Sequence, residues 1–324
     1  MSPAILAALA HPASILLGQE TGFWQRVFVF EDYGELLQLL YPSIIAGAVL
    51  AVIGGVTGMF VTLRDSAFAV HGIAELSFAG AALALLIGAD VVTGSLVGSV
   101  AAALLIGLLG SRTSRQQSVI GTLMPFGLGL GILFLSLYQG RSANRFSLLT
   151  GQIVSVDAAQ IGEMALGAVV VVGGLLLLWR PLTFASVDPQ VAAAKGVPLR
   201  ALSLVYMLLL GVAVALSVQV VGALLVLALL ITPAAAANRL TASPVRSVLL
   251  SVLFAEVAMV GGILLALAGS LPISPYVTTI SFAIFLVCTG IQAVRRRHSA
   301  SGRRTPAEGT TAEQAAADRG HPPS

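Results

Sequence analysis

The sequence predicts an all-α polytopic membrane protein of about nine transmembrane helices, each needing about 20 apolar residues to cross a bilayer. Three observations lead there. Of the 324 residues, 57% are hydrophobic and only 10% are charged, whereas an ordinary soluble domain carries about 25% charged residues. The mean hydropathy is +0.97. Uncharged runs of spanning length recur along the chain between short polar or basic connections, and in lipid a helix satisfies its own backbone groups.

The elements follow in order. Residues 1–42 form an N-terminal segment, expected to be interfacial or extracytoplasmic. Its first 18 residues are mildly apolar, broken at His11-Pro12 and without a basic start, so they make a poor signal peptide. Residues 23–40 mix Arg26, Glu31, Asp32 and Glu35 with aromatics and leucines, the pattern of an amphipathic segment at the membrane surface. The membrane domain is expected over 43–294. Its spans are 43–63, 66–88 after an Arg64-Asp65 turn, 91–110, and 118–138 with a kink at Pro125. A further span, 161–179, follows a polar loop. Residues 201–238 hold no charge and are too long for one crossing, so two spans joined near Ser217–Gln219 are expected. Residues 247–268 and, after a Pro-containing turn at 271–275, 276–294 complete the set. The tail 295–324 opens with Arg-Arg-Arg-His, turns polar, and is expected to be disordered and cytoplasmic.

Charge sets the orientation. The net charge of +3 does not point to nucleic acid, because the basic residues sit in short loops and in the tail. Arg64, Arg112, the 180–200 connection, the 239–246 loop and the tail fall on one side of nine crossings, which the positive-inside rule makes cytoplasmic. Of the loop cations beyond the N-terminal segment, only Arg141 and Arg145 fall on the other side. The single cysteine, Cys288, lies in an apolar run and offers neither a disulfide nor a thiolate cluster.

Two side chains in the second span need a reason. His71 and Glu75 are four residues apart, so a helix puts them on one face with Cβ atoms about 5–6 Å apart. An ionisable group in the bilayer core costs about 2.5–3.5 kcal/mol on insertion scales. Imidazole with carboxylate is ligand chemistry for a divalent transition metal; the plainer alternative is a hydrogen-bonded pair that only fixes packing. Glu256, midway along its span, is a second candidate on the same path or a packing residue. Asp90 and Glu163 lie near span ends, where carboxylates reach water, and Asp157 sits in an outer loop open to a docking partner. No GxxxxGK[ST] loop and no HExxH motif occurs, so the chain itself is not expected to bind nucleotide or to catalyse a reaction.

The 180–200 connection carries its own helix punctuation. Asp188 precedes Pro189 at a first helical position, Ala193 lies inside, and Lys195-Gly196-Val197-Pro198 supplies the stop. A capped helix between two spans on the cytoplasmic side is a surface that a transport permease can offer to a motor subunit.

The segment from Asp188 to Arg200, followed by Gly222, Leu224, Leu225, Ala228, Leu229, Leu230, Pro233 and Ala234, resembles the coupling segment and following helix of the permease subunit of bacterial metal-ion ABC importers. Gly151, Ile153 and Val156 are similar to that family's outer-loop motif. The likeness extends over about residues 43–294. The family's second span reads Gly-Asp-Ala-Leu-Ser-His-Ala; anchored on Gly80, His71 stands in the place of the aspartate and Glu75 in that of the histidine, a reversed order. The resemblance implies a metal-type ABC importer permease fold and a homodimer in the cytoplasmic membrane among its lipids. It further implies two cytoplasmic ATPase subunits on the coupling segments, an extracytoplasmic metal-binding protein, and zinc or manganese passing His71 and Glu75. ATP would bind the partner subunit, and this chain would hold no cofactor. Two alternatives compete: a siderophore or cobalamin permease, which has no use for the ligand pair, and an ion-coupled secondary transporter using Glu75 and Glu256, which has no use for the coupling segment.

The orientation is testable with single cysteines at Ser155 and Ser299 in a Cys288→Ser background. They should react with an impermeant thiol reagent from opposite membrane faces, and labelling from the same face would refute the crossing count.

Overall fold

The structure is a computed structural model that describes residues 33–109, 113–140, 148, 156, 158–267 and 273–301. Every regular element among these is a helix. A short α1 (Tyr33–Leu39) leads into α2 (Tyr41–Leu63), followed by α3 (Ala67–Ile87), α4 (Val91–Leu109) and α5 (Thr113–Leu137). Next come α6 (Ala158–Leu177), the short α7 (Trp179–Val187) and α8 (Pro189–Ala194), and the long α9 (Leu199–Val221). The chain closes with α10 (Ala223–Leu230), α11 (Thr232–Leu240), α12 (Pro244–Leu267) and α13 (Ile273–Ser301). Eight of these helices, α2 to α6, α9, α12 and α13, are long and apolar enough to cross a membrane.

A ninth passage is made of two pieces. Just before it, Gln219 donates to the Val92 carbonyl at the start of α4 (3.2 Å). At its far end, Asn238 donates to Thr62 at the end of α2 (3.0 Å). The α10–α11 pair therefore runs from one end of the bundle to the other. The joint expected at Ser217–Gln219 lies instead at Gly222, whose φ of 81° is open to glycine. Ser217 stays helical because its hydroxyl donates back to the Ala213 carbonyl (2.8 Å), so its polarity requires no loop. Pro233, in the first turn of α11, leaves the break after α10 without loss of a needed N–H.

Other boundaries differ slightly from expectation. The Arg64-Asp65 turn is present, with Asp65 at φ 50°. Helix α5 continues through Pro125. Helix α13 begins at Ile273, so Pro275 is in its first turn rather than in a connecting turn, and it runs through Arg295–Arg297 to Ser301. The arginines extend the last turns favourably, since cations suit a helix C-terminus. Residues 1–32, most of the 141–157 loop and 302–324 lie outside the described residues, and with them the readings made for Gly151, Ile153 and Asp157.

Helices α2 and α9 are the most enclosed, whereas α5, α6 and α13 present most of their surface outward. Close approach is carried by glycine. A Cβ at Gly58 would overlap the Leu230 carbonyl oxygen, and one at Gly55 would sit 2.5 Å from the Val252 Cα, so α2 touches α10 on one face and α12 on another. In lipid such small-residue contacts replace the hydrophobic drive between helices.

Gly58→Ala should therefore destabilise the bundle by about 1–3 kcal/mol, the usual cost of overpacking. Gly121→Ala, with open space around it, should be neutral or stabilising by about 0.5–1 kcal/mol. Thermal unfolding in detergent micelles would compare them; equal behaviour of the two variants would contradict the packing described.

Candidate functional site

Helix α3 carries the His71–Glu75 pair and is gripped on two sides. Toward α4, Gly80 faces Gly94 and Gly98 backbone to backbone. Ser77 reinforces this contact, with its hydroxyl 2.7 Å from the Ser95 hydroxyl and 3.1 Å from the Ser95 carbonyl. Toward α5, Gly72 lies beside Ile120 and Met124, and a Cβ at Gly127 would come within 3.0 Å of the Glu75 carbonyl carbon. Helix α5 thus crosses α3 at Glu75 itself.

His71 Nε2 lies 3.7 Å from Glu75 Oε1, too long for a direct hydrogen bond. The imidazole side chain is 33% exposed and the carboxylate 12%. The other ring nitrogen, Nδ1, is buried with no hydrogen-bond partner among the described residues. Buried polar atoms are nearly always paired, so an unpartnered imidazole nitrogen next to an enclosed carboxylate leaves lone pairs that a cation could take up. At a rise of about 1.5 Å per residue, His71 lies about 6 Å and Glu75 about 12 Å into α3 from the Arg64 end.

Glu256 is half-buried near the middle of α12. Helix α12 packs against α2, α11 and α13. Within one chain Glu256 does not join the pair, and no group of three or more metal-ligating residues forms among the described residues. Asp90 and Glu163 both line a cavity of about 580 Å³ at the opposite end of the bundle from Arg64. There Asp90 caps α4: it accepts from the Thr93 amide (2.8 Å) and hydroxyl (2.7 Å), and these bonds hold its carboxyl below the usual range.

The short helix expected between Asp188 and Gly196 is present as α8. Asp188 caps it by accepting from the Val191 amide (3.0 Å), with Pro189 at the first helical position. Gly196, at φ 81°, terminates it and donates to the Ala193 carbonyl (3.0 Å), and Val197 donates to Ala192 (3.1 Å). Ala193, Lys195, Gly196 and Pro198 are exposed. The Lys195 ammonium sits 5.9 Å from the Phe184 ring centre, which folds α8 onto α7.

The sequence reading missed one cluster. Arg64 places its guanidinium 4.9 Å from the Tyr206 ring centre and 3.4 Å from the Ser186 hydroxyl. The Tyr206 hydroxyl is 2.8 Å from that of Ser66, which precedes α3. Together with Trp179 set edge-on to Phe60 (5.3 Å), these contacts join the α7–α8 segment to the turn from which α3 starts. The signal in the sequence was an arginine placed inside the boundary of two spans.

Residues 36–292 match the family described as the ABC 3 transport family. The manganese transport system membrane protein MntC of Halalkalibacterium halodurans is 30% identical over 234 residues, covering 72% of this chain and 78% of that protein. The high-affinity zinc uptake system membrane protein ZnuB of Haemophilus influenzae is 24% identical over 253 residues, covering 78% and 97%. The solved structure of PsaBC from Streptococcus pneumoniae in complex with Fab superposes with a TM-score of 0.71 at 25% identity, covering 80% of this chain and 95% of that one.

Removing the α8 cap tests the local reading. Asp188→Ala should cost about 1 kcal/mol of helix stability. Backbone amides 191–195 should then exchange with solvent about fivefold faster, with α9 unaffected. Unchanged exchange there would show that the cap does not hold α8.

Proposed function

Because the chain belongs to the ABC 3 transport family, we infer that it is the membrane permease of an ATP-driven importer that carries divalent manganese or zinc across the cell membrane. The observation that carries this reading is the His71–Glu75 pair, an unsatisfied imidazole and an enclosed carboxylate on one face of a spanning helix. The names of its relatives, manganese and zinc transport membrane proteins, point to the same cargo. The chain performs no bond-making chemistry; a separate ATPase subunit hydrolyses ATP, and an extracytoplasmic binding protein delivers the metal.

Two ligands from one chain fall short of the four that zinc takes in a structural site. A homodimer supplies the same pair again across its axis, which completes a site in one gate state and dissolves it in the next. Glu256 would enter the path only from such an assembly, as a lower-ranked ligand. The ATPase acts through α8, with Asp188, Pro189, Ala193, Lys195, Gly196, Val197 and Pro198 as its contact. A push on α7–α8 reaches α3 through Ser186, Arg64, Tyr206 and Ser66.

Glu75→Gln and His71→Ala should each reduce uptake of radioactive manganese or zinc at least tenfold in vesicles holding the full importer, while assembly and basal ATP hydrolysis persist. Uptake at the parent rate in both variants would reduce the pair to packing. The double change His71→Asp with Glu75→His restores the family's usual order and should keep transport.

Ala193→Pro addresses the other end. It should break α8 at a local cost of about 3 kcal/mol and leave ATP hydrolysis uncoupled from metal uptake in an inserted permease. Normal ATP-driven uptake by this variant would remove α8 from the coupling role.

A further inference from the structure

At the Arg64 end of the bundle a cavity of about 620 Å³ opens between the end of α4, the start of α5, the α7–α8 segment and the start of α9. Arg64 and Arg200 line it together with Gln116 and Ser203, and no acidic side chain among the described residues does. Arg64 is half-buried. Its guanidinium is held in place by Tyr206 and Ser186, yet it makes no ion pair with a carboxylate among the described residues. Of the nearby acids, Asp188 spends its carboxylate on the Val191 amide, and Asp65 is exposed beside the turn. A fixed, partly desolvated guanidinium needs an anion, and a phosphate matches its planar donor fork.

The other walls say which phosphate. Leu108 and Leu204 line the cavity. Leu108 is 65% exposed and Leu105, one turn earlier on the same face of α4, is 40% exposed, so an apolar track leads from the cavity along the outside of the bundle. An inorganic phosphate would leave that track uncovered, whereas a phospholipid covers both the cations and the leucines.

We propose that this cavity binds the phosphate headgroup of an anionic phospholipid of the leaflet at the cationic end, with Arg64 and Arg200 as its cationic partners and the acyl chains along Leu108 and Leu105. Basic pockets between membrane helices on the cytoplasmic side suit such headgroups. The inference stands on the cavity and its charges and does not depend on the transported cargo.

Native mass spectrometry of the delipidated full chain, titrated separately with phosphatidylglycerol and phosphatidylcholine, tests it. Phosphatidylglycerol should bind at least fivefold more tightly than phosphatidylcholine. Arg200 is exposed and outside the packing, so R200Q keeps the fold and should weaken phosphatidylglycerol binding about fivefold, which corresponds to about 1 kcal/mol for a surface arginine. R64Q/R200Q should weaken it further, and R246Q, an exposed arginine elsewhere at the same end, should match the parent. Inorganic phosphate at millimolar concentration should not displace the lipid. Equal affinity for the two lipids, or parent-like binding by both R200Q and R64Q/R200Q, would overturn the proposal. Displacement by inorganic phosphate would also overturn it, by making the cavity a free-anion site.

Discussion

Backbone contact through glycine is the constraint on which this bundle depends. Helix α3 carries a carboxylate and an imidazole that a lipid-embedded helix tolerates only at a cost, and it is seated between two helices that meet it without intervening side chains. Gly80, Gly94 and Gly98 make the contact with α4, and Gly127 makes the contact with α5 directly over the Glu75 backbone. Dispersion and close packing fall off steeply with separation, so these glycines set both the strength of the contact and the position of the two polar side chains. Larger residues would move α5 away from Glu75 and change what the carboxylate faces.

Helix α2 extends the same principle across the molecule. Its glycines meet α10 on one side and α12 on another, so the ninth, broken passage is fastened along α2 from Gly54 to Asn238's bond with Thr62. At its C-terminal end α2 stops at Arg64, which binds outward to Ser186 of α7 and inward over Tyr206 of α9. Tyr206 in turn reaches Ser66, the residue before α3. One turn of chain thus belongs to the α7–α8 segment, to the enclosed α9 and to the start of the helix that carries His71 and Glu75. On the proposed reading, rigid-body motion of α7–α8 reaches His71 through about one helical turn of α3.

Much of this was legible in the sequence because membrane physics writes in long units. Every span of about 20 apolar residues appears close to its expected place, and the ends of α8 are where Asp188, Pro189 and Gly196 put them. What escaped the sequence is three-dimensional. The joint in the uncharged 201–238 run was placed at its polar residues, but Ser217 bonds within its own helix and Gly222 alone supplies the backbone freedom for the break. The stretch from Arg295 to Ser301, expected to be disordered, is helical, because a run of arginines extends a helix end as readily as it ends one. Arg64 looked like a loop cation, since nothing in its neighbourhood of sequence announces Ser186 or Tyr206, 122 and about 140 positions away. Glu256 and the His71–Glu75 pair form no common group among the described residues, a relation that spacing along the chain does not encode.

The order of the pair has its own consequence. His71 lies nearer the cationic end and is a third exposed, while Glu75 lies deeper and is nearly enclosed. Where it is ionised, an enclosed carboxylate with only an imidazole 3.7 Å away lacks a compensating charge, and the stabilisation that a divalent cation brings there grows as the surrounding solvent is withdrawn. On the proposed reading, metal entering from the far side of the bundle would meet the carboxylate first and be held by it most strongly. The imidazole, a third exposed, lies next on the way to the cytoplasm, as the weaker ligand with an open side. A descending series of ligand strength toward the cytoplasm favours release in that direction, whereas a carboxylate at the exit would retain the ion. The reversed arrangement is therefore compatible with import on electrostatic grounds alone, and it places the carboxylate at the crossing of α3 and α5, where Gly127 rather than a polar neighbour decides how tightly the site can close.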